Sequence, residues 1–117
     1  MRFIIEGAKP SPRVANGNLY WYEGDTFSFP LQIDIKDVFG YDKIIQVGET
    51  ITAVFYNKAE ATILTKTFTA VENNTITLSI DEAETAKFPE GRYVLKLFLG
   101  ENSEQTTIAN HIDVIVQ

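Results

Sequence analysis

The segment that decides the fold runs from Asn74 to Gly100, NTITLSIDEAETAKFPEGRYVLKLFLG. Ile76, Leu78 and Ile80 alternate with Thr75, Thr77 and Ser79, and further on Tyr93, Leu95, Leu97 and Leu99 take every other position. Successive side chains of a strand point to opposite faces, so a period of two predicts two strands, each with one face turned to a common core. Between them Asp81 is placed to cap a single helical turn, with Glu84 three residues on as its capping-box partner, and Pro89-Glu90-Gly91 ends the turn. Strand, helical turn, strand predicts a β-sandwich and names no ligand or reaction.

Upstream the pattern continues. Arg2 to Glu6 can form a short strand, after which Gly7, Pro10 and Pro12 break any ladder, so residues 1–18 are expected to be an arm that wraps an edge or reaches a neighbour. Asn16-Gly17 marks a tight turn into Leu19-Tyr20-Trp21-Tyr22. Three adjacent aromatics cannot all face inward from one strand; Tyr20, Trp21 and Tyr22 therefore supply core packing, an edge contact or a stacking surface. In DTFSFPLQIDI, Phe27, Phe29, Leu31, Ile33 and Ile35 share one face, and Pro30, lacking an amide hydrogen, requires an edge or a bulge. A connection over 36–49 holds a possible strand around Ile44 to Val47, and TITAVFYN follows with Ile51, Ala53 and Phe55 on one face. In TILTKTFTAV, Lys66 shares the parity of Leu64 and Phe68, which predicts a short, bulged or edge strand.

Downstream of the central segment, TTIANHIDVIVQ closes the chain with Ile108, Ile112, Val114 and Val116 on one face and His111, Asp113 and Ile115 on the other. Turns are expected at 72–74 and 101–104. Tyr93 follows the helical turn and a Pro-Glu-Gly corner, the position of a tyrosine corner in Greek-key sandwiches, where the hydroxyl bonds back to upstream backbone. The expected architecture is all-β, an immunoglobulin-like Greek-key β-sandwich of about seven strands with one short helical turn, in one domain over residues 19–117.

Composition bounds the chemistry. The 117 residues suit a single core, and 44% apolar and 12% aromatic residues fill it. A formal charge of -6 with scattered Lys and Arg argues against nucleic acid or anionic membranes as partners. No cysteine is present, so disulfide and thiolate chemistry are excluded. The apolar run near the start is three residues long, shorter than a secretory signal requires, and nowhere do 18 apolar residues run together. His111 is the only histidine, with no G-x-S-x-G elbow in the chain. Asp34, Asp37 and Asp42 have hard oxygens for calcium but no matching loop pattern, and the acids at 81, 82 and 84 fit a helix N-terminus. No catalytic, cofactor-binding or metal-ligating residue is assigned, and no cofactor is expected.

If residues 51–56, 93–99 and 108–116 share a sheet, Val54, Tyr56, Val94, Phe98 and Ile115 lie together on its outer face. Such a patch marks a protein interface unless the 36–49 connection or the arm covers it.

The order of elements has a counterpart. The aromatic strand and Gly-Asp-Thr turn of residues 20–26, then FSFPLQI, TITAVFYN and the NNTITLSIDEAETAKFPEGRYVLKL block with its closing strand, resemble the N-terminal domain of phage baseplate upper proteins over roughly residues 19–117. The resemblance implies a non-enzymatic immunoglobulin-like module of a phage or prophage tail, made in the bacterial cytoplasm and residing in the virion. Such a module attaches receptor-binding or fibre proteins to the baseplate, so its expected partners are other tail proteins or copies of itself. The competing expectation is a carbohydrate-binding or adhesion sandwich that uses the exposed members of Tyr20, Trp21 and Tyr22.

Overall fold

In the computed structural model, described for residues 1–36, 39–43, 45, 49–68, 74–100 and 106–117 with backbone alone at 42 and 43, the chain is mostly β. The strands are β1 (Arg13–Ala15), β2 (Asn18–Trp21), β3 (Phe27–Gln32), β4 (Ile35–Lys36), β5 (Asp42–Lys43), β6 (Ile51–Tyr56), β7 (Thr62–Phe68), β8 (Thr75–Ile80), β9 (Gly91–Leu99) and β10 (Thr106–Val116). One helical turn, α1 (Glu82–Thr85), joins β8 to β9. Seven of these strands have four residues or more, and β1, β4 and β5 are short additions. Of the expected strand around 44–47 only Ile45 is described, and the expected turns at 72–74 and 101–104 lie, but for Asn74, outside the described residues.

Six strands form one sheet in the order β1-β2-β10-β9-β6-β7, antiparallel throughout except for β2, which runs parallel to β10. β3 and β8 pair antiparallel as a second sheet, and β4 and β5 form a small ribbon. The two larger sheets share one core, in which Trp21, Phe55, Phe88 and Leu78 are buried. Trp21, Phe55, Phe88 and Tyr93 interlock edge to face at centroid spacings of 5.1 to 6.3 Å, the arrangement that ring quadrupoles favour.

The local signals have identifiable causes. Asp81 Oδ1 accepts from the N–H of Glu84 at 2.7 Å and Glu84 Oε1 accepts from the N–H of Asp81 at 3.0 Å, a complete capping box. The Tyr93 hydroxyl donates to the carbonyl of Pro89. Lys66, at a core parity on the edge strand β7, donates through Nζ to the carbonyl of Ser79 on β8 and to Glu84 Oε1 at 3.0 Å, so a cation ties the rim of one sheet to the other. The register of β7 shifts opposite Phe55 and Tyr56. Ile33 N–H donates to the Asn74 carbonyl, so odd-numbered residues of β3 point their backbone at β8 and even-numbered ones point it away. Pro30 is even, and its missing N–H falls on the side where, among the described residues, β3 has no ladder partner.

One expectation fails. Arg2 to Glu6 form no strand: residues 1–12 lie outside every ladder, and Phe3, Ile4 and Ile5 stand in solvent, because an isolated segment has nothing to satisfy its backbone. The expected arm also contributes Arg13–Ala15 to the large sheet as β1, paired with β2.

Candidate functional site

The candidate site is the outer face of the six-stranded sheet. β6, β9 and β10 are neighbours, with Val54 opposite Lys96, Tyr56 opposite Val94, and Val94 opposite Asp113. Ile115 lies opposite Arg92 on one side and Tyr20 of β2 on the other, and Phe98 lies opposite Thr52 and Thr107. Alternation turns Ala53, Phe55, Leu95, Leu97 and Val114 into the core and leaves the residues between them on the outside. The structure thus brings Val54, Tyr56, Val94, Phe98 and Ile115 to one face, each half-buried.

Charges are interleaved with this apolar strip. Lys96 Nζ sits 5.0 Å from the Tyr56 ring centre, and the Arg13 guanidinium carbon sits 4.5 Å over Tyr20, positions at which the ring face attracts a cation. His111 Nε2 lies 2.8 Å from Asp113 Oδ1, with both side chains largely open to solvent. Two register shifts in β10, between Thr107 and Ala109 and between Ala109 and Ile112, each insert an extra residue. They place Asn110 and His111 with Tyr56, Asn57 and Lys96 around one shallow depression on the outer face. The alternation of the closing strand survives for Ile112, Val114 and Val116, and the bulges account for Asn110, a polar residue at a core parity.

The aromatic trio separates. Trp21 is 0% exposed at the centre of the core, so it cannot belong to a contact surface; Tyr20 is half-buried beneath Arg13, and Tyr22 is exposed beyond the end of β2. Among the described residues the Trp21 indole N–H has no hydrogen-bond partner, and neither does the buried Thr85 hydroxyl. Among the described residues no three acidic or histidine side chains converge as a metal site. Asp37 and the side chain of Asp42 lie outside them. No helix among the described residues is long and apolar enough to cross a membrane.

Two features had no place in the sequence reading. Phe39 and Tyr41 are 82% and 72% exposed between β4 and β5. A cleft of about 240 Å3 opens between the two sheets, lined by Leu31, Ile33 and Ile35 on one wall and Leu97, Ile108 and Ile112 on the other. Compared with models of protein families, with characterised proteins and with solved structures, the chain matches none.

Proposed function

We propose that the chain is a non-enzymatic assembly module with an immunoglobulin-like Greek-key fold, a component of a phage or prophage tail baseplate that docks receptor-binding or fibre proteins. The observation that carries the assembly reading is the outer face: Val54, Tyr56, Val94, Phe98 and Ile115 form a half-exposed apolar strip across three adjacent strands, interrupted by Lys96, Arg92 and Asp113. Apolar residues mixed with charge suit an interface that forms between folded partners rather than a domain core cut in half. The immunoglobulin-like part of the reading is supported by β6, β9 and β10 side by side, by β3 and β8 paired opposite them, and by Tyr93 anchoring the corner after α1. The tail assignment draws on the resemblance of residues 19–117 to baseplate upper proteins. Burial of Trp21 takes the strongest ring from the glycan-stacking alternative.

The test is mass spectrometry of tail particles purified from a strain that carries the gene. The chain is expected at fixed stoichiometry, and Val94→Lys with Phe98→Glu is expected to remove it from the particles while the purified variant keeps its Trp21 fluorescence. Particles that lack the wild-type chain would refute the tail reading; particles that retain the variant would refute the role of this face.

A further inference from the structure

The two-stranded sheet is too narrow to cover the six-stranded one, and the shortfall is on the side of β3. Ile76, Leu78 and Ile80 of β8 are 3%, 1% and 1% exposed, whereas their register partners Leu31, Phe29 and Phe27 on β3, which face the same way, are only half-buried. The uncovered space is the cleft of about 240 Å3, bounded by Leu31, Ile33 and Ile35, by Leu95 and Leu97, and by the bulged part of β10, with Asp34 at its rim. An apolar cavity of about 150 Å3 admits a benzene ring, so this one has room for an aromatic and a branched aliphatic side chain.

The same chain carries a match for it. Phe3, Ile4 and Ile5 are 83%, 68% and 79% exposed on an arm whose first ten residues all stand in solvent. The radius of gyration is 15.6 Å, against about 13 Å for a compact chain of this length, and the longest extent is 55 Å beside 29 and 24 Å. The charges are complementary as well: Arg2 and Lys9 against Glu6 leave residues 1–12 at +1, while the rest of the chain carries -7, for the formal total of -6. The arm is held at its root beside β2. Ser11 Oγ donates to Asp25 Oδ2 and accepts from the N–H of Tyr22, beyond one end of β2, while Gly17 and Asn18, at the other end, line the cleft.

We propose that the arm of one copy seats in the cleft of a second copy, with Phe3 and Ile5 filling the space beside Leu31 and Ile35 and Arg2 meeting Asp34 at the rim. Pro30 denies the side of β3 turned away from β8 an amide at its middle, so side-chain burial and charge carry the recognition rather than an added ladder. Because arm and cleft are different surfaces of the chain, the contact is head-to-tail, the kind that closes into a ring or extends as a chain. The proposal rests on the assembly reading and adds the identity of one partner.

Sedimentation equilibrium of the full chain over a wide concentration range tests it. The wild type is expected to exceed the 13.2 kDa monomer mass in a concentration-dependent way, and Phe3→Glu with Ile5→Glu is expected to return it to the monomer. Arg2→Glu and Asp34→Arg, both at exposed positions, are each expected to weaken association about tenfold, roughly 1.4 kcal/mol, and their combination to restore it. Unchanged Trp21 fluorescence certifies the fold of each variant. A wild-type monomer at every concentration overturns the proposal, as does association that survives the arm variant or a charge pair that is not rescued. An associating chain that is absent from tail particles leaves this contact standing and removes the tail reading; a monomer present in particles does the reverse.

Discussion

Lys66→Ala should cost about 2 kcal/mol, although Lys66 occupies an edge strand where charged residues are ordinarily expendable. Its ammonium donates to the Ser79 carbonyl and to Glu84 Oε1 at 3.0 Å, and both side chains of the ion pair are only about one-fifth exposed, at 20% and 19%. Hydrogen bonds to charged groups contribute about 1.5–3 kcal/mol, and partial access to water draws this pair toward the lower half of that range. Folded chains gain about 2.1 cal/mol/K of unfolding entropy per residue, so for this chain a loss of 2 kcal/mol lowers Tm by about 8 °C. Urea unfolding followed by Trp21 fluorescence measures it, with an unchanged slope in denaturant confirming that only stability has moved. Lys66→Met separates the causes. Methionine keeps the apolar stem but leaves the carbonyl and the carboxylate without their donor, so it should recover less than half of the loss. In a double-mutant cycle with Glu84→Gln, which preserves an oxygen for the Asp81 amide, the coupling should be about 1 kcal/mol. A methionine variant as stable as the wild type would refute the reasoning, because the stem alone would then account for the site.

Other consequences are simpler to read. Tyr93→Phe should cost about 1 kcal/mol for the lost bond to Pro89. Burial, with a smaller contribution from the Glu23 carboxylate, raises the Tyr93 phenol above its ordinary value of 10.0. An acid held neutral in the folded state stabilises below the unfolded-state value and loses that contribution as pH rises through the folded one, so the wild type should lose its advantage over Tyr93→Phe only above about pH 10. Phe88→Ala should cost about 3–5 kcal/mol, since the ring is 0% exposed and touches three other aromatics. Calorimetry that finds less than 1.5 kcal/mol would mean that the aromatic cluster is loosely packed.

Much of both packed sheets was legible because their signals are local. Alternation assigned the inward faces of β6, β8 and β9, the spacing of Asp81 and Glu84 located the helical turn, and the parity of Lys66 and the imino nitrogen of Pro30 marked two edges. Where local pattern ran out, partners decided. Arg2 to Glu6 has the residues of a strand but no ladder within its own chain, while Arg13–Ala15, short and unpromising, acquires one from β2 across the Asn16-Gly17 turn. Tyr20, Trp21 and Tyr22 are alike in sequence; only the pairing of Trp21 with Val116 and its contacts with Phe27 and Phe88 send it inward.

The cleft was illegible for a deeper reason, and the same reason gives it meaning. Alternation says which face of a strand is apolar, but not how many strands lie across from that face. Phe27, Phe29 and Leu31 have the same pattern as Ile76, Leu78 and Ile80, yet β8 has its inward residues sealed while β3 has not. A sheet that exposes part of its apolar face in one copy either tolerates the cost of about 25 cal/mol for each Å2 left in water or recovers it in an assembly. The blunted ladder at Pro30 favours recovery by a selective partner, since it discourages indiscriminate strand pairing while leaving the side-chain cavity open. Exposed Phe3, Ile4 and Ile5 incur the same penalty on the arm, and a contact between copies relieves both at once.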